Sequence, residues 1–166
     1  MPEREQFAAR SSERKGNFDA DSDILHIRKV VASNPNTPKQ VLMRLANDDE
    51  AHIRRSIAEN PKSPVDILRK LAGDSDSDVR LAIAENPNTP DDTLTILSQD
   101  VNVDVRYGVA ENPHMPEDIL FRLSQDENPY VRCRALKTLQ MLAPDVQSRL
   151  RLLLQQAYTD FSNNDE

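Results

Sequence analysis

Residues 79–104 read VRLAIAENPNTPDDTLTILSQDVNVD, and the chain restates that stretch on both sides without an insertion. Upstream stand IRKVVASNPNTPKQVLMRLANDDEAH at 27–52 and IRRSIAENPKSPVDILRKLAGDSDSD at 53–78; downstream stands VRYGVAENPHMPEDILFRLSQDENPY at 105–130. The pairs Asn34-Pro35, Asn60-Pro61, Asn86-Pro87 and Asn112-Pro113 recur every 26 residues, as do Ile27-Arg28, Ile53-Arg54, Val79-Arg80, Val105-Arg106 and Val131-Arg132. A fixed period of this length marks a stack of like supersecondary units. Each unit touches only its neighbours, so the stack presents a surface and encloses no single core. A fifth unit begins at Val131-Arg132 and then departs: Thr138-Leu139 stands where Asn-Pro is due, and Pro144 comes two residues late. Such a degenerate unit suits a closing repeat.

Each unit splits at its prolines. Ser63-Pro64-Val65-Asp66 predicts a helix start, with Ser63 capping free N–H groups, Pro64 in the first helical position and Asp66 completing a capping box. Thr37-Pro38 with Gln40 and Thr89-Pro90 with Asp92 follow the same plan, whereas Met115-Pro116 lacks the hydroxyl. Ile67, Leu68, Leu71 and Ala72 then fall at helical spacing, as do Val41, Leu42, Leu45 and Ala46, and the helix ends near Gly73 or its equivalents. The first helix of a unit follows an Asp-rich turn such as Asp74-Ser75-Asp76-Ser77-Asp78 and buries Val79, Ala82 and Ile83. It must stop at Asn86, because the residue before proline is pushed out of the helical region. Helices this short are marginal alone, so stacking supplies their stability. No segment alternates with a two-residue period, and no sheet is expected.

The register Val-Arg-x-x-Ile-Ala-Glu-Asn-Pro-x-Thr-Pro-x-x-x-Leu-x-x-Leu-Ala resembles the leucine-rich repeat variant family of bacteria, over residues 27–130. That resemblance implies a right-handed superhelix of alternating α and 3₁₀ helices without strands; a HEAT-like stack of helix pairs is the close alternative. The unit here is slightly longer than the family's usual one, which favours a full second α-helix over one that is 3₁₀ in part. The founding member of the family carries an iron–sulfur cluster on a cysteine-rich N-terminal segment. This chain has no cysteine before Cys133, so neither the cluster nor a redox role carries over.

Composition bounds the rest. At 166 residues the length fits one domain, and 37% hydrophobic with 30% charged residues supports a modest core. No apolar run reaches the length of a membrane span. The N-terminus, MPEREQFAAR, is charged where a signal peptide is apolar, which points to a cytoplasmic protein. The net charge of −7 disfavours general binding to phosphate backbones. Residues 1–20 carry no repeat marker and read as a flexible arm, 21–161 as one repeat domain closed by a degenerate cap at 131–161, and 162–166 as a frayed tail.

Candidate sites are few. Arg28, Arg54, Arg80, Arg106 and Arg132 would form a basic stripe, but Asp48, Asp74, Asp100 and Asp126 lie six residues ahead of the last four. Each arginine is thereby placed to bond an aspartate or a turn carbonyl across the short loop, and a stacked ladder of such bonds would fix the repeat spacing. Asn34, Asn60, Asn86 and Asn112 suggest a second ladder, because an amide both donates and accepts. Asp74, Asp76 and Asp78 with Glu85 imitate a calcium loop, but Val79 stands where the turn needs glycine and the segment reads as helix. His26 and His52 share a register without converging ligands, and Cys133 reads as a semi-buried small residue with no His-Asp partner. No cofactor, no metal and no hydrolytic activity are expected.

One feature looks suited to contact. The position after each repeated arginine varies, as Lys29, Arg55, Leu81, Tyr107 and Cys133, and lies four residues before Glu59, Glu85 and Glu111 on a face expected to point outward. Met43, Arg69, Thr95 and Phe121 form a comparable column on the second helix. Aromatic, arginine and aliphatic residues of this kind anchor interfaces. The sequence therefore predicts an all-α solenoid that acts, as a monomer and without chemistry of its own, as a scaffold for a protein partner. Arg55, Leu81 and Tyr107 form the expected ridge, and Met43, Arg69 and Phe121 the alternative one. Two rival readings are a nucleic-acid-binding helical repeat, which needs a basic groove, and an accessory to a metallocluster or redox system, which needs clustered ligands.

Overall fold

The structure, a computed structural model, describes residues 20–142. The expected arm, the second half of the cap from residue 143 and the tail lie outside the described residues, apart from Ala20. Among the described residues there are nine α-helices and no strand: α1 (Ala20–Ser33), α2 (Lys39–Leu45), α3 (Ala51–Glu59), α4 (Val65–Leu71), α5 (Ser77–Glu85), α6 (Asp91–Leu97), α7 (Val103–Glu111), α8 (Glu117–Leu123) and α9 (Pro129–Leu142). The odd-numbered helices pack one on the next along the stack, and each even-numbered helix lies against the odd-numbered helices before and after it. This is an all-α solenoid. The second helix of each unit is α over its whole length, so the 3₁₀ alternative does not hold for α2, α4, α6 or α8.

Burial follows the register. Ile53, Val79, Val105 and Val131 are fully buried, as are Ile57, Ile83, Val109 and Ala135 one turn later. Leu42, Leu68, Leu94 and Leu120 supply the matching seam from the second helices. Removing a leucine of this kind from water is worth about 2 kcal/mol, which two-turn helices cannot obtain in isolation. Ile27, the register mate of Ile53, is 60% exposed, because no described helix lies on the side of α1 that a preceding unit covers elsewhere.

The proline turns solve a backbone problem. The carbonyl of Ile57 would accept from residue 61 if α3 continued, but Pro61 has no N–H to give. Asn60 donates to it from its backbone nitrogen at 3.1 Å instead, and the Ser63 hydroxyl adds a second bond at 2.5 Å. Thr37 does the same for the carbonyl of Val31 and Thr89 for that of Ile83, each at 2.6 Å. This corrects the capping-box expectation. Pro38, Pro64 and Pro90 occupy the N-cap, with no side-chain cap bond, and the hydroxyls before them serve the helix just ended. The first helices are capped in a more familiar way: Asp76 accepts from the N–H groups of Asp78 and Val79, and Asn102 from those of Asp104 and Val105.

Candidate protein interface

The repeated polar residues turn inward. Arg80 donates from Nε and Nη2 to the two carboxylate oxygens of Asp100, at 2.6 and 2.9 Å, and from Nη1 to the carbonyl of Asp74 at 2.8 Å. Arg54 repeats the pattern with Asp74 at 2.7 and 2.8 Å and the carbonyl of Asp48 at 2.8 Å. Arg106 does so with Asp126 at 2.7 and 3.0 Å and the carbonyl of Asp100 at 2.8 Å. Arg28 reaches both oxygens of Asp48 through Nη1, and Arg132 donates to the carbonyls of Asp126 and Glu127. The aspartate six residues ahead, in the preceding unit, thus offers its carbonyl, while the carboxylate comes from the arginine's own unit, twenty residues on. The fork closes each unit on itself, and the carbonyl bonds of Arg54, Arg80, Arg106 and Arg132 tie it to the unit before.

The same aspartates hold their own turns, since Asp74 and Asp100 accept from the N–H groups of Asp76 and Asn102. Burial pushes the Asp100 carboxyl up, but the Arg80 fork, the Asn102 N–H and the charges of Arg80 and Arg106 outweigh it and hold the group below the ordinary carboxylate range. Asp74 and Asp126 are lowered by the same balance.

The asparagines make a parallel ladder on backbone carbonyls. Asn86 donates from Nδ2 to Ala58 at 2.6 Å and to Asn60 at 3.2 Å, and its Oδ1 accepts from the Asn88 N–H at 2.9 Å. Asn60 serves Ala32 and Asn34 in the same way, and Asn112 serves Ala84. Asn34 is exposed and its Oδ1 accepts from the Asn36 N–H. In the fifth unit Thr138 takes over, donating to the carbonyl of Ala110 at 2.6 Å. With no proline behind it, α9 runs straight through the place where the other first helices stop.

With the repeated arginines and asparagines engaged, the outer face of the first helices carries the repeated glutamates Glu59, Glu85 and Glu111 together with the residues that differ between units. Tyr107 is 37% exposed and lies one turn before Glu111. Leu81, expected beside it as an open anchor, is only half exposed: it packs on the core, and its Cδ1 lies 2.6 Å from where a Cβ on Gly108 would stand. Arg55 is exposed but bonded to Glu59 at 2.8 Å, with Asp78 at 3.9 Å. Cys133, expected to be semi-buried, is exposed. On the second helices Met43 is exposed, Arg69 is paired with Asp92 at 2.8 Å, and Phe121 is half-buried against the core, so it too departs from the outward column. The structure brings Leu81 and Tyr107 onto one face but leaves only Tyr107 with its ring open to solvent.

Charge is divided along the stack. Residues 79–130 hold ten acids against Arg80, Arg106 and Arg122, two of which are spent in the ladder. In the first two units the exposed cations are partly engaged as well, with Lys39 on Asp66 and Lys70 on the Asn47 amide oxygen. Among the described residues no group of three or more His, Cys, Asp or Glu is arranged to hold a metal ion. No described helix is long and apolar enough to cross a membrane.

Comparison with known families matches two segments of this architecture. The leucine rich repeat variant model matches residues 78–102, and the HEAT repeat model matches residues 118–146. No curated protein and no solved structure matches the chain. The third unit is therefore similar to the leucine rich repeat variant, and the passage from the fourth unit to the fifth is similar to the HEAT repeat, the two kinds of helical repeat that the 26-residue register resembles.

Proposed function

We propose that this chain is a non-enzymatic scaffold, acting in the cytoplasm, that binds a protein partner on the face of its first helices centred on Tyr107. One observation carries the reading. From the second unit on, the repeated arginines and asparagines bond to backbone carbonyls of the preceding unit, and the residue left outward at the fourth step is a half-open tyrosine beside a half-buried leucine. Aromatic residues in such settings anchor interfaces because they bury large area at low entropic cost. Similarity to helical repeats, which in general mediate protein association, supports the same reading.

The test is affinity capture from the native cell with the full chain and with Tyr107→Ala. The ring is half exposed, so the variant should keep the melting curve of the parent and lose the captured partner. Leu81 is unsuited to a charge substitution, because it packs on the core. Unchanged capture by Tyr107→Ala, with Met43→Ala abolishing it, would move the interface to the second helices.

A further inference from the structure

A cleft of about 300 Å³ opens between the third and fourth units, lined by Glu85, Pro87, Gly108, Glu111, Pro113 and His114. Its position follows from one residue. Gly108 replaces the side chain that Val30, Ser56, Ala82 and Arg134 supply at the same register elsewhere, and Leu81 leans into part of the space left. Glu85 and Glu111 occupy the same register in successive units, so they flank the hollow roughly 10 Å apart by ordinary helix packing. Prolines form its apolar walls; Tyr107, outside the lining, stands one helical turn before Glu111 on the same face of α7.

We propose that this cleft takes a cationic side chain, an arginine or lysine, from a basic segment of the partner protein, with Glu85 as the principal counter-charge and Tyr107, one turn from Glu111, as an aromatic contact for the same segment. The inference rests on the protein-binding reading above and names the chemistry of that partner. Charge complementarity supports it: of the ten acids in residues 79–130, Asp100 and Asp126 are buried in forks with Arg80 and Arg106, which leaves eight acids against Arg122. Glu111 is already met by Arg134, whereas Glu85 has only the more distant charge of Arg55 in its favour. Burial first, and the charges of Glu111 and Glu59 next, push the Glu85 carboxyl up from its ordinary value. A guanidinium placed between Glu85 and Glu111 removes that repulsion, and the Tyr107 ring one turn away offers a further cation of the segment an attracting face.

The probe is a short synthetic peptide of alternating arginine and alanine, titrated into the isotope-labelled full chain and followed by amide shifts. The expected result is movement confined to Glu85, Tyr107, Gly108 and Glu111, and binding at least roughly tenfold weaker for the doubly neutralised E85Q/E111Q chain or for a citrulline version of the peptide. Asp91→Asn with Asp118→Asn, which removes acids on α6 and α8, should leave the affinity within about twofold. Absence of shifts at the cleft, equal binding of the citrulline peptide, or equal loss from the α6 and α8 variant would each overturn the proposal. Capture of the native partner separates the two readings: loss in Tyr107→Ala with full retention in E85Q/E111Q leaves the scaffold standing and removes the basic partner. Retention in both variants removes both.

Discussion

Thr138 donates its hydroxyl hydrogen to the carbonyl of Ala110 at 2.6 Å, where Asn86 donates its amide to the carbonyl of Ala58 at the same distance. A shorter side chain thus keeps the inter-unit bond while dropping the turn that asparagine also organises. Thr138→Val preserves shape and removes the donor, leaving a buried carbonyl unsatisfied. It should lower unfolding stability by about 1–2 kcal/mol in chemical denaturation, and Asn86→Ala should cost more, since it releases two carbonyls and the Asn88 N–H. Equal stability of Thr138→Val and its parent would show that the bond is dispensable.

The arginine fork makes a second prediction. Arg80 and Asp100 have side chains only 14% and 8% exposed, so truncating the arginine leaves an aspartate buried without its partner. Arg80→Met should cost about 3 kcal/mol. Lys70→Met removes the same charge from an exposed contact with Asn47 and should change stability by less than about 0.5 kcal/mol. Identical melting temperatures for the two variants would remove the fork as a stabilising element.

Acid should loosen the stack through the same groups. Asp74, Asp100 and Asp126 have folded values below the ordinary aspartate value of about 3.9. A lowered carboxylate stabilises the fold fully above its unfolded value, and this contribution disappears as pH falls through the folded one. Unfolding free energy should therefore be level from about pH 7 to 5 and fall steeply below about pH 4, less steeply in Asp100→Asn. Glu85 has the opposite sign: its raised value means the charged form weighs against the fold, a penalty that grows as pH rises through the folded value. Glu85→Gln should thus be at least as stable as the parent at pH 7.

The repeat period made the fold legible before any side chain was placed, but it could not say which aspartate each arginine meets. Asp74 lies six residues before Arg80 and Asp100 twenty residues after it, and a 26-residue register makes those two neighbours equivalent in pattern. Only the stacking of units decides that the first gives a carbonyl and the second a carboxylate. The capping hydroxyls depart from their pattern for a related reason. Ser63 beside Pro64 has the spelling of a helix start, yet Pro61 had already orphaned the Ile57 carbonyl, and the nearer need took the hydroxyl. The outward column failed at Leu81 because its neighbour across the unit boundary is a glycine, a fact visible only when columns are laid side by side.

Gly108 and Leu81 give the last prediction, which separates local helix energetics from packing across units. Gly108 lies in the middle of α7, where glycine is about 1 kcal/mol worse than alanine. A Cβ added there would stand 2.6 Å from Cδ1 of Leu81, with Ala84 Cβ at an ordinary 3.6 Å. The clash falls on the end of a flexible side chain, so Leu81 can swing out, losing part of its contact with the core. Gly108→Ala alone should then be close to neutral, the helical gain offset by lost leucine packing. In a Leu81→Ala background nothing is displaced, and the same substitution should stabilise by about 1 kcal/mol. A double-mutant cycle measures the difference as a coupling of similar size. Zero coupling would mean that Leu81 does not occupy the hollow over Gly108, and the cleft would then be deeper than its present lining implies.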